Sequence, residues 1–277
     1  MGKDCENRFG LIGYPIGHSL SPGLFNAAYH ERFSYELIEN KSFERAYSIF
    51  SESFRGINVT APFKEIALST AGICSDECLV IGAANILVKK HGVIYAYNSD
   101  FLAVKSIIQT IRKENRKILV IGCGGAGKAA AAAAVNLGKE TTIINRTVGK
   151  AMEWAKRLET DKVCVKPAGD LANCIKNSDI IINTLPCNLP ELDSIVTSDD
   201  YDNPIKGKTV IEANYRNPQL CGCITNRKLD INYISGHKWL LEQAASGYLK
   251  LTSDEPDYKS MCQYLSEFNL AGFKIND

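Results

Sequence analysis

Between residues 118 and 134 the chain reads Ile-Leu-Val-Ile, then Gly122-Cys123-Gly124-Gly125-Ala126-Gly127, then one lysine and six alanines. An unmixed apolar run suits a central strand of a parallel sheet, buried on both faces. The alanine run suits a helix packed close to its neighbours. The glycine pattern between them matches the start of a dinucleotide-binding βαβ unit, provided that a strand precedes it and a helix follows, as here. The first glycine permits the tight turn, the second lets backbone approach a pyrophosphate, and the third lets helix pack on strand. The first N–H groups of the helix then face the phosphates. Gly122, Gly124, Gly125, Ala126 and Gly127 are therefore candidate cofactor contacts.

The same alternation of apolar runs and amphipathic stretches extends along the chain. Strands are predicted at 9–13, 35–38, 56–60, 118–121, 141–144, 163–165, 179–183 and 208–212, with a hairpin from 84–88 and 93–97. Helices are predicted at 21–32, 43–50 and 100–112, the last from the spacing of Leu102, Val104, Ile107, Ile108 and Ile111. Ser21 before Pro22 reads as an N-cap with proline at N1. The tail from about Lys238 reads as helical throughout. Such alternation implies a doubly wound α/β sheet.

Bulk properties narrow the function. With 32 basic and 31 acidic residues in 277, the net charge is +1, so no global field favours nucleic acid or a membrane surface. No apolar stretch approaches the roughly 18 residues of a membrane span, and no apolar run follows the N-terminus as a signal peptide requires. A cytoplasmic protein is expected. Ten cysteines without a CxxC pair, and only four histidines, read as reduced thiols with no metal site.

The end of the 141–144 strand reports on the cofactor. Sites for NAD usually place Asp or Glu there, to accept from the ribose 2′-hydroxyl. This chain has Asn145-Arg146-Thr147, with Lys150 one turn further. Arg146 can stack on adenine and pair with a 2′-phosphate, which an acid would repel. The cofactor is read as NADP.

About 100 residues precede the glycine loop, and they carry three polar islands. Gly13 to Pro22 includes Ser19 and Ser21. Gly56 to Lys64 carries Asn58 and Thr60 on one face of a strand, with Lys64 on the next helical turn. Gly82-Ala83-Ala84-Asn85 is followed after the hairpin by Tyr97-Asn98-Ser99-Asp100. Such side chains at strand ends suit a small, hydroxyl-rich substrate.

These islands resemble the shikimate dehydrogenase family over essentially the full chain. The motifs are His18-Ser19-Leu20-Ser21-Pro22, Asn58 to Lys64, Gly82 to Asn85, Asn98-Ser99-Asp100, Asn145-Arg146-Thr147 and Gln243-Ala244-Ala245. The resemblance implies two α/β domains, the second a Rossmann-type doubly wound parallel sheet. Residues 1–101 with 237–277 would bind substrate and 102–236 would bind NADP. It implies reversible reduction of 3-dehydroshikimate to shikimate, on the route to chorismate and the aromatic amino acids, by a monomer or homodimer. Lys64 and Asp100 would be catalytic: reducing a carbonyl leaves charge on oxygen and needs a proton donor, and the sequence leaves open which of the two carries the proton. Ser19, Ser21 and Tyr215 would hold the substrate carboxylate, and Thr60, Asn85, Asp100 and Gln243 the ring hydroxyls. The cofactor set would be the glycine loop with Asn145, Arg146, Thr147, Lys150 and Gly236.

Three departures from the family pattern stand out. Ser99 replaces a threonine. The loop from Asn183 to Asn188 replaces a small-residue loop beside the nicotinamide. Trp239 replaces a methionine there, and reads equally as a core residue or a cofactor contact. Two rival functions follow. A quinate/shikimate enzyme that also accepts NAD is disfavoured by Arg146, and a non-catalytic metabolite-binding regulator by the Lys64/Asp100 pair.

Overall fold

The computed structural model describes residues 7–111, 117–198, 203–220 and 230–267. These form two compact units, one comprising the described residues up to Leu102 and from Leu241 onward, the other running from Ala103 to Leu240.

In the first unit the strands are β1 (Arg8–Gly13), β2 (Ser34–Glu39), β3 (Gly56–Val59), β4 (Ile73–Cys74), β5 (Ile86–Lys90) and β6 (Val93–Tyr97). They form one sheet in the order β2-β1-β3-β5-β6-β4. β1 runs parallel to β2 and β3, and β5 is antiparallel to both its neighbours. Between them lie α1 (Ser21–Tyr29), α2 (Phe43–Ser53), α3 (Lys64–Ser69) and α4 (Asp76–Ile81). Ile12, Phe50, Phe54, Ile57 and Leu87 are fully or almost fully buried in one core cluster of this sheet. Phe9, Phe25, Tyr29, Tyr35 and Tyr248 build an aromatic cluster with ring centroids 4.6–6.5 Å apart where they meet.

The second unit holds β7 (Ile118–Ile121), β8 (Thr141–Ile144), β9 (Val163–Lys166), β10 (Ile180–Asn183), β11 (Thr209–Glu212) and β12 (Asn232–Ile234). All are parallel, in the order β12-β11-β10-β7-β8-β9. Counted from the first strand this is the dinucleotide-binding order, whose crevice opens at the carboxyl ends of β7 and β10, where the order reverses. Helices α6 (Gly125–Asn136), α7 (Val148–Ala155), α8 (Leu171–Lys176) and α9 (Pro190–Thr197) connect the strands. Every residue of β7, β10 and β11 is buried, as strands covered on both faces require. Ala129 to Ala134 are buried too, so small side chains bring α6 close to the sheet. Among the described residues no helix is long and apolar enough to cross a membrane, and no group of His, Cys, Asp and Glu could hold a metal ion.

Several local expectations need correction. Leu20, not Ser21, stands at the N-cap of α1, and its own side chain makes no capping hydrogen bond. Ser21 is already the first helical residue, and Ser19 takes its backbone N–H instead. The helix stops at Tyr29 rather than 32, because His30 and Glu31 both take positive φ. The tail is not helical throughout. Its described residues hold α10 (Gly236–Thr252) and α11 (Tyr258–Glu267), separated by Ser253 at φ 68° and by Pro256, which cannot extend a helix. Seven described cysteines are free thiols, while Cys5, Cys221 and Cys223 lie outside the described residues.

Candidate active site

The three polar islands come together in the first unit because β1, β3, β5 and β6 are neighbours in one sheet. The chain leaves β3 at Thr60, whose N–H donates to Ile12 O of β1 at 2.9 Å, and Tyr14 N donates to Ala61 O at 3.1 Å. The loop with Ser19 is thereby set beside the loop that leads to Lys64. Gly13 is required at this crossing, since a Cβ there would lie 2.3 Å from Thr60 Cγ2.

Lys64 opens α3 and its Nζ donates to Asp100 Oδ2 at 2.7 Å. The pair is largely sheltered, with 26% of the lysine side chain and 12% of the aspartate side chain exposed. Asp100 lies in the first turn of α5 (Ser99–Thr110), where the helix dipole favours a carboxylate. Asn85, buried between β5 and the α5 terminus, organises the group. Its Nδ2 donates to Asp100 Oδ2 at 3.1 Å and to Ser99 Oγ at 3.1 Å, and its Oδ1 accepts from Ser99 N at 2.8 Å. Ser99 Oγ in turn donates to Gln243 Oε1 on α10 at 3.2 Å. Lys64, Asn85, Asp100 and Gln243 therefore form one hydrogen-bonded chain. Serine serves at 99 in place of threonine because the hydroxyl does the bonding. The space beside it is tight, since a Cβ on Gly247 would lie 3.2 Å from Ser99 Oγ.

Ser19 and Ser21 meet at the start of α1, where Ser19 Oγ donates to Ser21 Oγ at 3.1 Å. Their loop is pinned from two sides. Ile16 N donates to the Glu39 carboxylate at 2.9 Å, and the buried Tyr248 hydroxyl donates to Ser21 O at 3.1 Å. Tyr35 likewise donates to Asn58 Oδ1 at 2.8 Å. Burial pushes both tyrosines well above the ordinary phenol range, so they remain neutral donors. Sequence reasoning passed over Glu39, Tyr35 and Tyr248. Nothing in the patterning of β2 or α10 singles them out, since both elements carry other polar side chains.

In the second unit the glycine loop combines a left-handed turn with one crowded and two open positions. Gly122 has φ 99°, which L side chains rarely adopt. A Cβ on Gly127 would lie 2.1 Å from Gly122 O, whereas one on Gly124 or Gly125 would meet nothing within 4 Å. The loop is crowded where helix meets strand and open where a ligand would approach, at the N-terminus of α6. Asn145 ties this loop to the next one, its Oδ1 accepting from Cys123 N at 3.3 Å and its Nδ2 donating to Thr147 O at 3.1 Å. Arg146, Thr147 and Lys150 are exposed beyond β8. Arg146 makes no hydrogen bond or ion pair among the described residues, so its guanidinium is available to a ligand.

Tyr215, Gly236 and His237 cluster at the far end of the same sheet. The Tyr215 and His237 rings meet edge to face at 5.7 Å. A Cβ on Gly236 would lie 2.6 Å from Tyr215 N, so this glycine is explained by close backbone packing. Trp239 is only 4% exposed.

Comparison with known proteins bears on this geometry. Residues 11–87 match the model of the shikimate dehydrogenase substrate binding domain, and residues 103–217 match that of shikimate / quinate 5-dehydrogenase. The NADP(+) shikimate dehydrogenase of Methanosarcina barkeri is 33% identical, over 91% of this chain and 95% of that protein. The chain belongs to the shikimate dehydrogenase family. The enzyme of the same name from Carboxydothermus hydrogenoformans is 29% identical, over 91% of this chain and 94% of that one. Among solved structures, quinate dehydrogenase from Corynebacterium glutamicum, determined with NAD, superposes with a TM-score of 0.81 over 94% of this chain and 98% of that one. At 20% identity this likeness shows the shared fold alone. The family resemblance read from the six motifs and the α/β fold class both hold.

Proposed function

We propose that this chain is an NADP-dependent shikimate dehydrogenase, which reversibly reduces the ketone of 3-dehydroshikimate. The observation that carries the reading is the Lys64–Asp100 pair, sheltered and held by Asn85. The described units would divide the work, the first taking the substrate and the second the dinucleotide.

The second unit fits the cofactor on its own geometry. Gly124 and Gly125 leave open space at a helix N-terminus, where backbone N–H groups attract phosphate. Arg146, with Thr147 and Lys150 near it, presents cationic and polar groups to a 2′-phosphate. Asn145 fixes the two loops relative to each other. The dinucleotide, when bound, supplies or accepts the hydride.

The remaining chemistry belongs to the side chains. Asp100 Oδ2 accepts from both Lys64 and Asn85, so the carboxylate is the ionised partner and the lysine is an ammonium. Lys64 Nζ is then the proton donor to the alkoxide formed on reduction, and takes the proton back in the reverse direction. Asp100 orients the ammonium and accepts from a ring hydroxyl. Thr60 and Gln243 hold further hydroxyls. Ser19 and Ser21 hold the carboxylate with neutral donors. The protein would act as a monomer or homodimer in the cytoplasm.

The test is initial-rate oxidation of shikimate and of quinate with NADP and with NAD. Shikimate with NADP is expected to give the highest kcat/KM. Faster turnover of quinate with NAD would overturn the assignment, as would shikimate binding without any turnover.

A further inference from the structure

The mechanism leaves one buried carboxylate without a task. Glu212, the last residue of β11, is fully buried. Four groups donate to it: Tyr233 Oη at 2.7 Å, Gln219 N at 2.7 Å, Leu220 N at 3.3 Å and Asn183 Nδ2 at 3.4 Å. Burying a carboxylate is costly unless donors replace its water. Here the donors tie the carboxylate to more than one segment of the chain.

Its donors come from three segments. Asn183 ends β10, and its Oδ1 accepts from Leu185 N at 3.3 Å, turning the chain into the 183–188 loop. Thr184 Oγ1 donates back to Ile121 O at 2.8 Å, and a Cβ on Gly122 would touch both Thr184 and Leu185. This segment therefore abuts the glycine loop. Gln219 and Leu220 close the segment that carries Tyr215. Gln219 also donates to Leu189 O at 2.7 Å and accepts from Leu189 N at 3.0 Å, joining this segment to the end of the 183–188 loop. Tyr233 lies on β12, three residues before Gly236, which packs on the Tyr215 backbone. All three segments leave the carboxyl ends of parallel strands, on the β10–β11–β12 side of the switch point. Arg146 lies on the opposite side, beyond β8.

We propose that Glu212 is a positioning residue for the nicotinamide end of the dinucleotide, holding the 183–188 loop, the Tyr215 segment and the Gly236 turn in one arrangement. This rests on the proposed function. It assigns the adenosine end to the glycine loop and Arg146, and the nicotinamide end to the framework around Glu212. Because the two ends are held by different groups, they can be weakened separately.

The experiment compares wild type with Glu212→Gln and Tyr233→Phe, using adenosine 2′,5′-bisphosphate and NADPH as titrants in the full chain, alongside turnover. The glutamine keeps the shape, but its NH2 must face a backbone donor. The expected result is an unchanged affinity for the bisphosphate, with kcat and NADPH affinity each falling about tenfold or more in Glu212→Gln and less in Tyr233→Phe. Equal loss of both affinities, or no loss of either, would overturn the proposal. If Glu212→Gln does not fold, Tyr233→Phe and Glu212→Asp carry the same comparison. The titrations do not depend on turnover. A wild type that binds NADPH but oxidises no shikimate would count against the proposed reaction, while the ratio of the two affinities would still decide the role of Glu212.

Discussion

Lys64 and Asp100 share one short contact, 2.7 Å from Nζ to Oδ2, and the oxygen that takes the ammonium also takes the amide of Asn85. An ammonium held in this way points in a fixed direction and does not need to reorganise when charge develops on a substrate oxygen.

Replacing that ammonium should therefore separate chemistry from binding. Lys64→Ala is expected to lower kcat by roughly 10²–10⁴, the range for a lost general acid. NADPH affinity, measured by fluorescence titration, should stay within about twofold, because the dinucleotide is proposed to lie in the other unit. A parallel loss of NADPH binding would remove Lys64 from the proton-donor role.

Two glycines of one loop should respond in opposite ways. Gly127→Ala places a methyl 2.1 Å from Gly122 O and has to displace backbone, so stability should fall by about 1–3 kcal/mol or more. Gly124→Ala meets no protein atom within 4 Å and should leave urea stability nearly unchanged, while weakening NADPH binding by obstructing the pyrophosphate. Equal behaviour of the two variants in denaturation and titration would contradict this division.

Legibility in the sequence follows the range of the forces involved. Strands such as Ile118–Ile121 and the loop after them were readable because burial on both faces and glycine's steric freedom act locally. Lys64 and Asp100 were readable as chemistry, but their contact spans 36 residues and was inferred only through the family motifs. The roles of Glu39, Tyr35 and Tyr248 are not legible, because they are hydrogen bonds to backbone or amide groups distant in sequence. β4 and β12 have two and three residues, too few for any periodicity. The end of α1 and the break at Ser253 depend on left-handed residues other than glycine, which the sequence does not announce.

Arg146 should set the cofactor preference. It is exposed and makes no ion pair among the described residues, so Arg146→Ala is expected to leave thermal stability unchanged. Losing a charge-assisted hydrogen bond of about 1.5–3 kcal/mol should raise KM for NADPH roughly tenfold to a hundredfold. KM for NADH should barely move, and the selectivity remaining in wild type should shrink as salt rises. A variant that loses NADPH and NADH equally would place Arg146 outside the 2′-phosphate site.

Acid should destabilise the second unit through His237. Burial holds this imidazole below its ordinary value near 6.5. The folded state therefore favours the neutral ring, and the unfolded chain takes up the proton first as pH falls. Stability from this source is complete above 6.5 and is lost as pH drops through 6.5 toward the folded value. One proton limits the slope to about 1.4 kcal/mol per pH unit. Urea unfolding at about pH 7.5 and about pH 5.5 should show a larger loss in wild type than in His237→Gln, which cannot take up that proton. Identical losses in the two proteins would show that this histidine titrates alike in the folded and unfolded chain.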